Sequence, residues 1–364
     1  MVAFIWAINL FILSAQTLRL DTAMVAGMAV GAAWLTKSPA MMLIILMPST
    51  LLLFNFQKKG LSVRTGKLFG FWLIVLAFGF ALYNILRLGP EFYMIATRNK
   101  DYIFSIAEII KHPLNPLISN MQSVINWFWI WLTPSVFVTT IFGAIILYSK
   151  KRKETIFLLV WLLVPLFAQS AIAKVYTARY VLFLIPFVLV LSAGGINFLF
   201  SHLRSKVLTT VILVIILFLP VYESLWLIVD PSKSWIPQNE RSGYLEMWTA
   251  GHGIRKVADY LKQVAETQKI LVGTEGYFGT LPDGLQIYLN QVPNTTVIGV
   301  GWPIKDISDK LTSGLIDNRV FLVANESRIE LTDFSRLKLI ATYPKAVDRF
   351  GKTDRLMFYE IAAP

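Results

Sequence analysis

LTKSPA (residues 35–40) joins two apolar runs and carries one charge, Lys37. Residues 22–36 are apolar apart from Thr22 and Thr36, and residues 40–56 carry only a few small polar groups. A charged side chain at such a junction is costly and marks a task. Working outward, apolar stretches of span-forming length cover about 2–16, 22–36, 40–56, 66–86, 127–148, 155–173, 180–200 and 207–229. The second is short, so tilting or local thinning is expected, and its Gly27 and Gly31 form a small-xxx-small pair that lets helices pack closely. Of the 364 residues, 55% are hydrophobic, and the mean hydropathy is +0.60. The pattern predicts a polytopic α-helical membrane domain over 1–229, with about eight transmembrane helices. An α/β domain of ordinary soluble composition follows over 230–364.

The chain has no cysteine, which excludes disulfides, thiolate metal sites and cysteine nucleophiles. Its three histidines, His112, His202 and His252, have no ligand spacing, so no histidine-built metal site is expected. The net charge of +12 is uneven. Residues 230–364 hold 16 Lys/Arg and 16 Asp/Glu, whereas residues 1–229 hold 18 and 6. Basic residues that flank spans report orientation, so the high isoelectric point says little about nucleic acid, and none is expected as a partner.

Alternate loops hold eleven basic residues: Arg19; Lys58, Lys59, Arg64 and Lys67; Lys150 to Lys153; and Arg204 and Lys206. The positive-inside rule makes these loops cytoplasmic and predicts that the C-terminal domain is extracytoplasmic. The opposite loops nevertheless carry seven bases, Lys37, Arg87, Arg98, Lys100, Lys111, Lys174 and Arg179, against Glu91, Asp101 and Glu108. Solvated loop charge accounts for Lys100 and Lys111. Lys37 and Arg179 press against helix ends, where cations suit an anionic ligand such as a lipid phosphate. Residues 1–16 lack the basic start and cleavage site of a signal peptide.

Residues 87–126 are too long for a simple connection. Phe92, Ile95, Ile103, Ile106, Ile109 and Ile110 are spaced like interfacial amphipathic helices, with Pro113 and Pro116 as interruptions. Trp127, Phe128, Trp129 and Trp131 form an aromatic belt at the next span. Two readings are open: a segment that only caps the bundle, or the wall of a lipid-facing cavity.

In the C-terminal domain, GHGIRKVADYLKQVAET (251–267) predicts an amphipathic helix and LPDGLQIYLN (281–290) a second helix. Residues 269–274, 295–300, 319–325, 338–344 and 355–361 predict strands of a small α/β sandwich. Gly273, Gly276 and Gly279 follow the first strand, but GxxGxxG is not the dinucleotide spacing, and turn roles are expected for them. Sequons at Asn294 and Asn325 are of a kind common by chance.

LTKSPA together with KVYTARYVLFLIPFVLVLSAG (174–194) resembles the GT-C membrane glycosyltransferases, in particular the group of protein O-mannosyltransferases and bacterial aminoarabinose transferases. RLGPEFYMIATRNKDYIF (87–104) and WIWLTP (129–134) are similar to the long external loop and following helix of bacterial relatives. The resemblance covers essentially the whole chain through the order, spacing and topology of its motifs. It implies a multi-pass plasma-membrane enzyme that transfers a sugar, with inversion, from a polyprenyl-phosphate donor to a lipid, glycan or protein acceptor outside the membrane. Lys37 matches the family's turn lysine and Tyr180 the tyrosine near the donor phosphate, although Phe183 to Pro186 depart from the family spacing. Lys174 and Arg179 adjoin Tyr180, and Arg87 and Arg98 are further candidates from the long loop. The alternative role for Tyr180 is an interfacial anchor. No cofactor is expected, and a divalent metal stays open. The family's catalytic aspartate follows its first span, and the first helix here is similar to the family's fourth. The chain is therefore expected to be the C-terminal portion of such an enzyme, inactive alone. Asp21 is no substitute, because the charge pattern places it on the cytoplasmic side. Two other classes remain: a transporter or flippase subunit, for which repeats and midplane charges are lacking, and a membrane scaffold with an outward binding domain.

Overall fold

A computed structural model describes residues 1–363. The chain forms two compact units, Met1–Glu223 and Ser224–Pro364.

The first unit is helical. It contains α1 (Val2–Thr17), α2 (Leu20–Thr36), α3 (Met41–Leu46), α4 (Leu61–Tyr83), α5 (Tyr93–Tyr102), α6 (Ile106–Lys111), α7 (Asn115–Trp131), α8 (Thr133–Lys150), α9 (Arg152–Ile172) and α10 (Ile185–His202). α11 (Lys206–Val229) begins in it. Five helical segments are long and apolar enough to cross a membrane: Leu61–Leu88, Thr133–Lys150, Arg152–Ile172, Leu182–His202 and Lys206–Val229. The three other predicted spans are shorter apolar helices, Val2–Thr17, Leu20–Thr36 and Ser38–Leu53.

Two predicted spans differ in detail. The run at 40–56 is one turn of 3-10 helix (Ser38–Ala40), then α3, then 3-10 helix again over Met47–Leu53. Pro39 and Pro48 stand near the starts of the two 3-10 stretches, and a proline N–H is missing from each. The run at 127–148 is not continuous either. α7 ends at Trp131 and α8 starts at Thr133, whose φ is +64°. Thr133 precedes Pro134, whose ring disfavours the helical backbone at the residue before it. The tryptophan belt therefore lies on a helix separate from the span that follows.

Small residues set the closest helix contacts. A Cβ on Gly27 or Gly31 of α2 would lie 2.6 Å from Phe78 Cβ or Leu82 Cβ of α4. The small-xxx-small pair thus packs onto α4, as close approach requires. At the α8–α10 contact, Thr139 Oγ1 and Ser192 Oγ share a hydrogen bond of 2.7 Å. The core of the unit centres on Trp161, fully buried among the rings of Phe4, Phe11, Phe157 and Phe187 at 5.9–6.4 Å. Its indole Nε1 donates to Ser49 Oγ at 2.8 Å, which satisfies the one polar atom such a side chain brings inside.

The second unit contains α12 (Gln238–Arg241), α13 (Ile254–Ala265), α14 (Asp283–Leu289) and α15 (Asp309–Gly314). Its strands are β1 (Ile270–Glu275), β2 (Thr295–Gly301), β3 (Arg319–Asn325), β4 (Leu337–Pro344) and β5 (Arg355–Ile361). They form one sheet in the order β2-β1-β3-β5-β4. β2, β1 and β3 are parallel, and β5 is antiparallel to both β3 and β4. β1 is buried along its whole length and β3 beyond its first residue, which accounts for their continuous apolar sequences. α13 and α14 cover one face with Val257, Leu261 and Leu285 against Phe321 and Phe358; α15 covers the other through Leu311. Gly276 and Gly279 have φ of +71° and +101°, in keeping with turn roles, whereas Gly273 lies inside β1, where a Cβ would come 2.6 Å from Leu311 of α15. Asn325 is 1% exposed, so its sequon is inaccessible in the fold.

A buried polar network sits at the carboxyl end of β1 and β3. Glu275 accepts from the backbone N–H and side-chain amide of Asn325, each at 2.6 Å. Lys345 Nζ, with a side chain 0% exposed, donates to Met247 O, Asp354 Oδ2 and Asn325 Oδ1. Burial raises the Glu275 pKa, and the Asn325 hydrogen bonds only partly offset it. Burial likewise lowers that of Lys345 against the pull of Asp354. Removing the ammonium leaves a largely buried carboxylate without its cation. Lys345→Met is therefore expected to destabilise the second unit by about 3 kcal/mol, measured by denaturant unfolding of the full chain; a loss under about 1 kcal/mol would mean that water replaces the ammonium.

Candidate functional site

A cavity of about 450 Å³ opens in the first unit around Lys37. Its lining comes from the end of α2 (Trp34, Lys37), from Tyr83, from α5 (Ile95, Asn99, Tyr102) and from the end of α9 through Tyr180 (Gln169, Tyr176, Tyr180).

Local sequence explains each placement. Lys37 ends α2: its backbone N–H still bonds Ala33 O, while its φ of −162° and ψ of 136° leave the helix ahead of Pro39. Arg179 and Tyr180 lie on a 3-10 turn (Ala178–Tyr180) between α9 and α10. The long loop is fastened to the end of α9. Phe104 N–H donates to Ile172 O and Lys174 N–H to Tyr102 O, both at 2.8 Å, so Ile103 and Ala173 pair as a short antiparallel bridge. Asn120 of α7 secures the same helix end by donating to Ser170 O and Ala173 O. α5 thereby forms a wall of the cavity, so this part of the loop does more than cap the bundle.

Lys37 Nζ lies 4.2 Å from the centroid of the Tyr180 ring. Arg179 approaches the same ring at 5.6 Å. Tyr180 stacks with Tyr176 (6.4 Å, 17°), and Trp34 stacks on Tyr83 (4.2 Å, 16°). Lys37 stands in the turn between helices. Partial burial, and secondarily the charge of Arg179, hold its pKa below the ordinary lysine value. Lys37 and Tyr180 line the cavity, whereas Arg179 is exposed and stands against the same ring outside the lining; a cation beside an aromatic wall with no carboxylate in the lining favours an anion.

The other sequence candidates lie elsewhere. Lys174 is exposed and donates from Nζ to Lys100 O at 3.0 Å, so it braces the loop rather than lining the cavity. Arg98 faces Asp101 at 3.9 Å, both exposed. Arg87 is exposed and faces the Phe92 ring at 5.4 Å.

Gln169 is a site residue that the sequence reading omits. It is 7% exposed and lines the cavity, and its Nε2 has no hydrogen-bond partner. Thr177 Oγ1, two residues before Arg179, is likewise buried without one. Orphaned buried donors are rare and call for an explanation; a cavity ligand supplies one for Gln169, while Thr177 lies outside the lining. The available signal was an amide within the apolar run of α9. Gln169→Met keeps the volume and removes the orphan. It is expected to stabilise the ligand-free protein by about 1 kcal/mol, read by thermal unfolding in detergent; a lower melting temperature would show that the amide already has a partner.

No protein-family model matches the chain, and no curated protein or solved structure matches it.

Proposed function

We propose that the first unit binds the phosphate of a polyprenyl-phosphate sugar in the Lys37 cavity, and that the chain is part of a membrane glycosyltransferase of the GT-C type. The observation that carries this reading is that Lys37 and Arg179 both stand against the Tyr180 ring, with Lys37 in a cavity lined with aromatic groups and an uncommitted amide. The apolar helices suit a lipid tail, and the cations suit its head. In the proposed reaction an acceptor hydroxyl attacks the anomeric carbon from the side opposite the phosphate. The bond from that carbon to the phosphate oxygen breaks, and the phosphate departs with the electron pair. Lys37 and Arg179 stabilise the charge that develops on it. The hydroxyl proton goes to a base outside this lining, since the cavity walls carry no carboxylate among the described residues. In this reading the transfer takes place on the extracytoplasmic face of the membrane.

Binding of farnesyl phosphate to the full chain in detergent tests the reading. Lys37→Ala is expected to weaken it about tenfold or more, with binding of farnesol unchanged. Equal binding of the phosphate by wild type and Lys37→Ala would remove the assignment.

The pH dependence gives a separate check. An anion favours the ammonium form, and the phosphate itself is fully ionised well above its second pKa of about 6. Affinity is therefore retained below the lowered Lys37 pKa and lost as pH rises through it. Arg179→Gln removes the neighbouring charge, so affinity falls overall while the loss moves to higher pH. A midpoint that stays fixed in Arg179→Gln would show that the Arg179 charge does not act on the Lys37 ammonium.

A further inference from the structure

The second unit holds a guanidinium with no hydrogen-bond acceptor. Arg328 closes a 3-10 turn, Glu326–Arg328, directly after β3. Its Cζ lies 3.8 Å from the centroid of the Trp248 ring and 4.0 Å from that of Trp302. Among the described residues its side chain donates no hydrogen bond and forms no ion pair, although all five N–H donors are present.

The backbone around both tryptophans is tied into the fold. Trp248 O accepts from Asn325 Nδ2 at 3.1 Å, and the neighbouring Met247 O accepts from buried Lys345 at 2.8 Å. The Trp302 segment is tied to that of Arg328 by Ile304 N–H to Arg328 O at 3.0 Å and Glu330 N–H to Ile304 O at 2.8 Å. The cation thus has two aromatic contacts in the ligand-free fold, and its N–H groups remain for an acceptor.

Arg328 lines a cavity of about 570 Å³. The size suits a small ligand, and the carboxyl ends of parallel strands are where such clefts bind them. The carboxylates of the lining are committed. Glu246 pairs with Arg241 at 2.6 Å, Glu326 with Arg355 at 3.2 Å and Asp354 with Lys345 at 3.2 Å. Asp348 accepts the backbone N–H groups of Phe350 and Lys352, each at 2.8 Å. Glu275, whose buried carboxylate feels the Arg328 charge, already accepts two bonds from Asn325. What remains uncommitted is cationic: Arg328 and the side chain of Lys352. Trp302 adds an indole that is 58% exposed.

We propose that this cavity binds a small anionic sugar, its carboxylate or phosphate received by the edge of the Arg328 guanidinium and its ring placed against Trp302. A guanidinium presents paired donors that match both oxyanions, and an aromatic face suits the C–H face of a sugar. The proposal is independent of the Lys37 cavity.

Calorimetric titration of the full chain in detergent with glucuronate, glucose 1-phosphate and glucose tests it. At least one anion binds, with glucose about tenfold or more weaker, and the preferred anion identifies the oxyanion. Arg328→Met retains the stacked, unbranched stem and loses the donors; affinity for the anion falls about tenfold or more. Arg328→Lys keeps the cation without the fork and also loses affinity, while its melting temperature stays at the wild-type value. That variant serves where Arg328→Met unfolds early. Lys37→Ala leaves this binding intact. Absence of anion binding in the wild type, equal affinity for glucose, or unchanged binding in both Arg328 variants overturns the proposal.

Discussion

The bridge between Ile103 and Ala173 is the interaction on which the first unit's cavity depends. Two backbone hydrogen bonds join the long loop to the end of α9. Without them Asn99 and Tyr102 have no fixed relation to Gln169 and Tyr176, which lie some seventy residues later in the chain. The loop itself has little to hold it: Ile106 and Ile110 of α6 are 77% and 73% exposed. A short helix of this kind is marginal alone, even with the capping box of Ser105 and Glu108 at its start. Backbone pairing to a rigid helix end places the wall with little demand on its side chains.

Much of the architecture was legible in the sequence, for identifiable reasons. The five strands and the two longer helices of the second unit announced themselves through short β-branched runs and one strongly amphipathic stretch. Gly27 and Gly31 pointed correctly to close packing, here onto α4. Hydropathy was weaker at the ends and interruptions of apolar runs. It did not register that Pro48 and Pro134 break the backbone regularity of two otherwise apolar stretches. Proximity to helix ends set Lys37 and Arg179 apart from Lys100 and Lys111, but nothing in the sequence excluded Lys174, Arg87 and Arg98 from the same site. Lys37 and Arg179 converge on Tyr180, whereas Lys174 and Arg98 find partners within the loop. Charge counting ranks these residues alike; only the turn at Pro39 and the 3-10 turn before α10 separate them.

The Arg328 cluster was illegible for a different reason. Trp248, Trp302 and Arg328 come from three separate loops, and none belongs to a recognisable motif. Their meeting follows from the parallel arrangement of β1, β2 and β3, which delivers the carboxyl ends of those strands to one side of the sheet. The network of Glu275, Asn325 and Lys345 then fixes the first of those loops. Each unit thus contains an aromatic-cation arrangement, built on helix ends in one and on strand ends in the other.

The order β2-β1-β3-β5-β4 also governs when the second unit can form. β5 is the last strand to be synthesised, yet it lies inside the sheet, with β3 on one side and β4 on the other. Until Arg355–Ile361 has left the ribosome, β4 has no neighbour to pair with and β3 is an open edge. The parallel strands β2, β1 and β3 can pair first, but β4 joins the sheet only together with β5, and the β3 edge stays open until then.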